Sequence, residues 1–165
     1  MTRLTTERLI LRAAQDSDLA PLFAIYSDPR AMRYWSYPPL GTIDDIKPLL
    51  QELMRPGPRQ YFVVEYGGAV VGTCGIHEGT EIGFILHPDH WRKGLASEAG
   101  RAVIQHMWDT TDVPHITADI DPRNTASEAI LTHLGFTQTG TAIRTFCIAG
   151  DWSDSAYFTL DRPSD

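Results

Sequence analysis

The stretch "HPDHWRKGLASEAGRAVIQ", residues 87–105, sets a basic, glycine-punctuated turn directly before a helical pattern. Leu95, Ala99, Ala102, Val103 and His106 share one face at helical spacing, while Ser97, Arg101 and Gln105 face away. The first turn of a helix carries backbone N–H groups without intrahelical partners, and aligned peptide dipoles add partial positive charge there. Gly94 and Ala96 leave an anion room to approach that backbone, and Arg92 and Lys93 add charge. The segment reads as a pyrophosphate cradle or, taken alone, as a solvated turn whose glycine relaxes the entry to a helix. Neither G-x-x-x-x-G-K-[ST] nor a G-x-G-x-x-G following a strand occurs in the chain.

Working outward, "TEIGFIL" (80–86) is a strand closed off by Pro88, and the helix should stop before Pro114, ahead of a strand "HITADI". This makes one βαβ crossover from residue 80 to 120. Asn124 is a candidate cap for the helix "TASEAILTHL", and Gly135 stands where a helix ends in the left-handed conformation. If the strands on either side of the crossover splay at their carboxyl ends, an extended ligand can lie between them and use free backbone groups of both. Coenzyme A has that shape.

Upstream, "ERLILRA" (7–13) opens as a strand, and Asp16 or Ser17 caps a helix carrying Leu19, Leu22, Phe23 and Tyr26 on one face. The loop "MRYWSYPPLG" (32–41) concentrates aromatics and prolines. Thr42 can cap a second helix with Ile43, Ile46, Leu50 and Leu53, whose first half contains Pro48. "YFVVEY" and "AVVGTCGI" flank Gly67-Gly68, a two-residue hairpin connection in which both positions tolerate positive φ. "FTQTGTAIRTFCIAG" and "WSDSAYFTL" are closing strands. The order β, α, α, β, β, β, α, β, α, β, β implies an α+β fold. No repeat, low-complexity tract or linker divides residues 1–165, which form a single domain.

At 165 residues, 42% hydrophobic and 21% charged, the chain has the composition of a globular protein able to bury a core without disulfides or metal. It contains no apolar run near the roughly 20 residues that span a bilayer, and "MTRLTTERLI" is not of signal-peptide type. A cytoplasmic protein without a membrane partner is expected. A net charge of −7 argues against nucleic-acid binding and fits a cationic substrate. Cys74 and Cys147 sit in apolar, strand-like segments and are expected to be buried thiols. His87 and His90 lack a third ligand signal, so no metal is expected.

"WRKGLA" resembles the Q/R-x-x-G-x-G/A signature of the GNAT superfamily of acetyl-CoA-dependent N-acetyltransferases, with Trp91 at the position usually held by Gln or Arg. "WRKGLASEA" is similar to the W-G-K-G-Y-A-T-E-A pattern of the ribosomal-protein N-terminal acetyltransferase (Rim-type) branch. "TERLILR" (6–12), "NTASEAILTHLGF" (124–136) and "GDWSDSAYFTL" (150–160) extend the resemblance over nearly the whole chain. It implies a mostly antiparallel, twisted sheet of about seven strands with a splayed parallel pair and helices on both faces. It implies that the backbone of Phe84, Ile85 and Leu86 pairs with the pantetheine arm. Trp91, Arg92, Lys93, Gly94, Leu95, Ala96 and Ser97 would hold the pyrophosphate, and Asn124 would bond the arm while capping its helix.

The implied chemistry is direct transfer of acetyl from acetyl-CoA to a primary amine in a ternary complex, without metal or covalent intermediate. The acceptor is an α-amine of a peptide or protein, or a small-molecule amine. Glu81 lies where related enzymes often place a carboxylate base; it is that base or a surface glutamate. Position 131, where many relatives carry a tyrosine acid, is leucine. The Rim-type branch carries serine in an N-x-x-S pattern, which Asn124 and Ser127 match, and the resemblance implies that Ser127 positions or protonates the thiolate; otherwise it is a first-turn serine meeting a backbone donor. Tyr34, Trp35 and Tyr37 wall an acceptor pocket or pack under the second helix. Asp154 matches an acidic position in the final strands of the Rim-type branch, and the resemblance implies that it meets an ammonium; otherwise it is solvated. The alternative function is a non-catalytic acyl-CoA-binding module. A monomer or a homodimer fits either reading.

Overall fold

In the computed structural model, which describes residues 2–58 and 60–164, the strands and helices follow the expected order. The strands are β1 (Leu4–Thr5), β2 (Leu9–Arg12), β3 (Tyr61–Tyr66), β4 (Ala69–Glu78), β5 (Glu81–Leu86), β6 (His115–Ile120), β7 (Thr137–Ile148) and β8 (Asp151–Asp161). The helices are α1 (Leu19–Tyr26), α2 (Lys47–Met54), α3 (Leu95–Thr110) and α4 (Thr125–His133). The sheet has eight strands in the order β1-β2-β3-β4-β5-β6-β8-β7; the two-residue β1 is one that no periodicity in so short a piece could reveal.

Alternation along the strands divides the core between two faces. Phe62, Val64, Ile82 and Leu86 point to the side covered by Leu95, Ala99, Val103 and Met107 of α3 and Leu131 of α4. Val63 and Ile85 point to the other side, under Leu22, Ile25 and Tyr26 of α1 and Leu50 and Leu53 of α2. The β3–β4 hairpin turns at Gly67 and Gly68, with φ of 58° and 81°, as that pair requires.

Three expectations are corrected. Neither Asp16 nor Ser17 caps α1: a 3-10 turn (Asp16–Asp18) precedes it, and the Asp18 carboxylate reaches back 2.8 Å to the Gln15 N–H and 2.7 Å to Arg12. The second helix is split. Thr42 does open it, donating its N–H to Asp45, but Ile43–Ile46 form a 3-10 turn and Ile43 stays exposed. Pro48 falls in the first turn of α2, where its missing N–H has no partner to lose. Cys74 is buried, which pushes its thiol up to about 12, whereas Cys147 is exposed because β7 is the sheet's edge strand and shows most of its side chains to solvent.

The feature that positions the site is the junction of β5 and β6, the sheet's parallel pair. It is tied at the single register pair Glu81↔Thr117, after which the two strands part.

Candidate active site

The turn entering α3 is built for a bare backbone. A short 3-10 turn (Pro88–His90) leads to Arg92 at φ 60° and Gly94 at φ 74°, ψ 9°, both left-handed, and α3 starts at Leu95. Among the described residues, no backbone N–H from Arg92 to Ser97 donates to a protein acceptor; the Glu98 N–H is the first to bond, to Gly94. Trp91 departs from the expectation for this segment. Its backbone N–H donates to Pro88 and its indole N–H donates to the Leu86 carbonyl at 3.0 Å, so it ties the turn to β5.

A latch that no local pattern announces holds this turn. Glu98, in the first turn of α3, accepts from Thr6 Oγ1 (2.6 Å), the Arg8 backbone N–H (2.9 Å) and Arg8 Nε (2.7 Å), while Arg8 Nη1 donates to the Lys93 carbonyl at 2.8 Å. Burial works against Glu98's ionisation, but bonds from Thr6 and Arg8 outweigh it and hold its pKa below the ordinary carboxylate value. A Cβ at Gly94 would meet nothing nearer than Arg8 Nη2 at 3.5 Å.

The gap between the parting strands offers free backbone. The Thr80 carbonyl faces β6, accepting from Thr117 at 2.9 Å, and the His87 N–H faces β4, donating to Val71 at 2.8 Å. Strand alternation therefore aims both polar groups of Phe84 and the N–H of Leu86 into the gap, while the Leu86 carbonyl is already taken by the Trp91 indole. Those of Ile85 face β4, and its side chain belongs to the core under α1 and α2, which separates it from the two neighbours expected to act with it. Across the gap, Asn124 Oδ1 caps α4 by accepting from the Ser127 N–H at 3.1 Å, and its NH2 stays uncommitted. Ser127 is half-buried with no bond to its hydroxyl, and Leu131 is fully buried, so no acid stands at that helix position.

A cavity of about 470 Å³ opens where β5 and β6 part, on the α1–α2 side. Glu81, from the face of β5 opposite Ile82, lines it together with Asp119 of β6 and with Tyr34, Trp35 and Tyr37. Burial raises the pKa of Glu81, as do its acidic neighbours Asp119 and Glu78. Asp119 is raised by burial against a lowering bond from Ser155, and its Oδ1 is buried without a partner. Sequence reading missed Asp119, whose only local sign is a polar residue in an alternating strand. Asp121 also lines the cavity but is neutralised by Arg123 at 2.6 Å.

The aromatic walls are themselves supported. Trp35 stands edge-on to buried Tyr26 at 5.9 Å, and Arg33 and Arg123 lie over the Tyr34 ring at 5.1 and 5.8 Å. Beneath the floor, the hydroxyls of Tyr26, Tyr61 and Thr73 form a closed triangle of 2.8 to 3.1 Å. Asp154 is not part of the wall: it accepts from the Arg144 N–H at 2.8 Å across a bulge, while alternation brings Ser153 and Asp151 to the cavity. Among the described residues no group of three or more His, Cys, Asp or Glu is placed to hold a metal ion, and no helix is long and apolar enough to cross a membrane.

The model of the acetyltransferase (GNAT) domain matches residues 8–137. An uncharacterized N-acetyltransferase, p20, of Bacillus licheniformis is 32% identical over 151 residues, covering 85% of each chain. The [ribosomal protein uS5]-alanine N-acetyltransferase of Escherichia coli is 27% identical, covering 98% of this chain and 91% of the relative. The crystal structure of spermidine N-acetyltransferase from Vibrio cholerae, in complex with CoA and spermine, superposes with a TM-score of 0.80 at 21% identity over 94% of this chain and 96% of that one. The free-backbone turn, the parted strands and these matches agree: the chain belongs to the GNAT family of acetyl-CoA-dependent N-acetyltransferases.

Proposed function

We propose that the protein acetylates a cationic primary amine by direct attack on acetyl-CoA in a ternary complex. One observation carries this reading: the acid-lined cavity opens at the point where β5 and β6 part, so a thioester laid along the gap and an amine in the cavity meet. The backbone N–H groups from Arg92 to Ser97 take the pyrophosphate, aided by the charges of Arg92 and Lys93. Phe84 through its backbone and Leu86 through its N–H pair with the pantetheine arm, and Asn124 bonds it through its NH2. A donor among the free backbone groups of β5 polarises the thioester carbonyl.

In the cavity, Glu81 and Asp119 attract the acceptor's ammonium, since a cation relieves both the mutual repulsion of the carboxylates and the unpartnered oxygen of Asp119. Tyr34, Trp35 and Tyr37 enclose the neighbouring atoms of the acceptor. The hydroxyl of Ser127 stands by the departing thiolate. The acceptor is a peptide or protein α-amine or a small-molecule amine, and the enzyme works in the cytoplasm without metal.

Incubation with acetyl-CoA and a panel of α-amine peptides and polyamines, read by mass spectrometry, tests this reading. Addition of one acetyl group with stoichiometric release of CoA supports it. The buried leucine at position 131 favours a second reading, a non-catalytic acyl-CoA-binding module, which predicts tight CoA binding and no turnover on any amine.

A further inference from the structure

We propose that His77, oriented by Glu52, is the group that takes the proton from the acceptor amine, leaving Glu81 and Asp119 to hold the amine's charge. The proposal rests on the acetyl-transfer reading and assigns one of its steps. His77 lines the same cavity, near the end of β4. There the register jumps: Ile76 pairs with Ile82 and Glu78 with Glu81, which leaves His77 as the extra residue of a bulge. Bulges of this kind re-aim a side chain.

The re-aimed ring is held from two sides. Its Nδ1 lies 3.2 Å from Glu52 Oε1 on α2, and the ring stands edge-on to Tyr61 at 5.6 Å between centroids. Tyr61 is fixed in turn by the hydroxyls of Tyr26 and Thr73. The Nδ1 edge faces the Glu52 carboxylate, which favours the tautomer with its proton on Nδ1 and its lone pair on Nε2. The groups facing His77 are Glu52 of α2, Tyr61 of β3, Glu78 of its own strand and Glu81 of β5.

The carboxylates are poorer bases for this step. An ion pair with a carboxylate stabilises the protonated amine and so keeps the proton where it is. Imidazole as a class ionises nearer neutral pH than a carboxylate does, and burial narrows that gap for Glu81 and Asp119, so the placement of His77 between Glu52 and Tyr61 decides which group takes the proton. The step balances as follows. One proton moves from the ammonium to Nε2, and the imidazolium, paired with Glu52, passes it to water, to which 62% of the His77 side chain is exposed. The freed lone pair forms the C–N bond at the thioester carbonyl, and the C–S bond breaks with its electron pair leaving on sulfur. The second amine proton then goes to the thiolate, giving amide and CoA thiol.

The test is the pH profile of kcat at saturating acetyl-CoA and amine, which removes the free amine's own titration. Wild type, His77→Gln, Glu52→Gln and Glu81→Gln are compared, with CoA Kd and melting temperature measured for each. His77→Gln is expected to lower kcat by about 100-fold and abolish the acidic limb of the profile, with CoA Kd and melting temperature unchanged. Glu52→Gln is expected to keep that limb and to lower kcat less than His77→Gln does, as fits a residue that acts through the ring. Glu81→Gln is expected to raise KM and leave the limb in place. A His77→Gln enzyme that keeps its kcat and its limb, or a limb that disappears in Glu81→Gln instead, overturns the assignment. A wild type that binds CoA yet acetylates no amine overturns the acetyl-transfer reading itself, a result distinct from either.

Discussion

Gly94 offers a direct test of the cradle, because in this structure the effects of a side chain on folding and on ligand binding come apart. At φ 74° any L residue is strained, by about 1–2 kcal/mol for alanine and less for asparagine, which visits this region more readily. The added Cβ finds only Arg8 Nη2, at an ordinary contact distance of 3.5 Å, so the protein itself has room. Gly94→Ala and Gly94→Asn should therefore fold, with melting temperatures lowered by roughly 2–8 °C and alanine the worse of the two. The cofactor meets a different obstacle: the side chain stands among the free N–H groups from Arg92 to Ser97, and a charge-assisted bond lost there costs about 1.5–3 kcal/mol. CoA should bind about 10- to 150-fold more weakly by titration calorimetry, with asparagine, the larger side chain, at least as harmful as alanine. The reasoning is refuted if Gly94→Asn binds CoA within about twofold of wild type, or if affinity follows melting temperature rather than side-chain size.

Four further variants have expected outcomes. Because the folded pKa of Glu98 lies below its ordinary value, the latch to Thr6 and Arg8 contributes stability above the ordinary carboxylate range and loses it as pH falls through the folded value. The urea-unfolding free energy of wild type should thus converge on that of Glu98→Gln as pH drops below about 4.5, whereas a pH-independent gap would contradict the latch. Asn124→Ala should lose about 1 kcal/mol with the cap and also weaken CoA binding; Ser127→Ala, whose hydroxyl bonds nothing, should lower kcat by about tenfold at unchanged melting temperature. At Gly72 a Cβ would lie 2.1 Å from the Ile85 carbonyl oxygen, so Gly72→Ala must push β5 toward the gap. Thermal melts should show a loss of about 3 kcal/mol accompanied by weaker CoA binding, and an unchanged melt would place the strand elsewhere.

The fold was legible wherever its cause is local. Gly67-Gly68, the Asn124 cap and the apolar face of α3 each state their conformation within a few residues, and the crossover follows from their order. The partners that secure those elements lie far along the chain: the Arg8 N–H and the Glu98 carboxylate are 90 positions apart, and neither position carries a pattern that announces the other. Cys147 shows the opposite error. An apolar neighbourhood suggested burial, but burial depends on what covers the strand, and β7 has a neighbour on one side only.

The same distinction separates the two halves of the site. The cradle is one contiguous stretch whose chemistry is backbone geometry, so its glycine and small residues advertise it. The proposed acceptor cavity takes its walls from the α1–α2 loop, the four strands β3 to β6 and the β7–β8 hairpin, and its character comes from which of their polar residues end up without partners. Asp121 and Asp119 are two residues apart in sequence, yet Arg123 neutralises one while the other keeps a buried, unpaired oxygen. That difference is set by tertiary pairing, and it is why the proposed function gives the cation to Asp119 and leaves Asp121 as a structural ion pair. An exchange of their roles can be read in the acceptor KM: Asp119→Asn should raise it about tenfold, while Asp121→Asn, by freeing Arg123 into the cavity, should raise it further by repelling the ammonium. Equal and small effects from both would mean that the amine is held elsewhere.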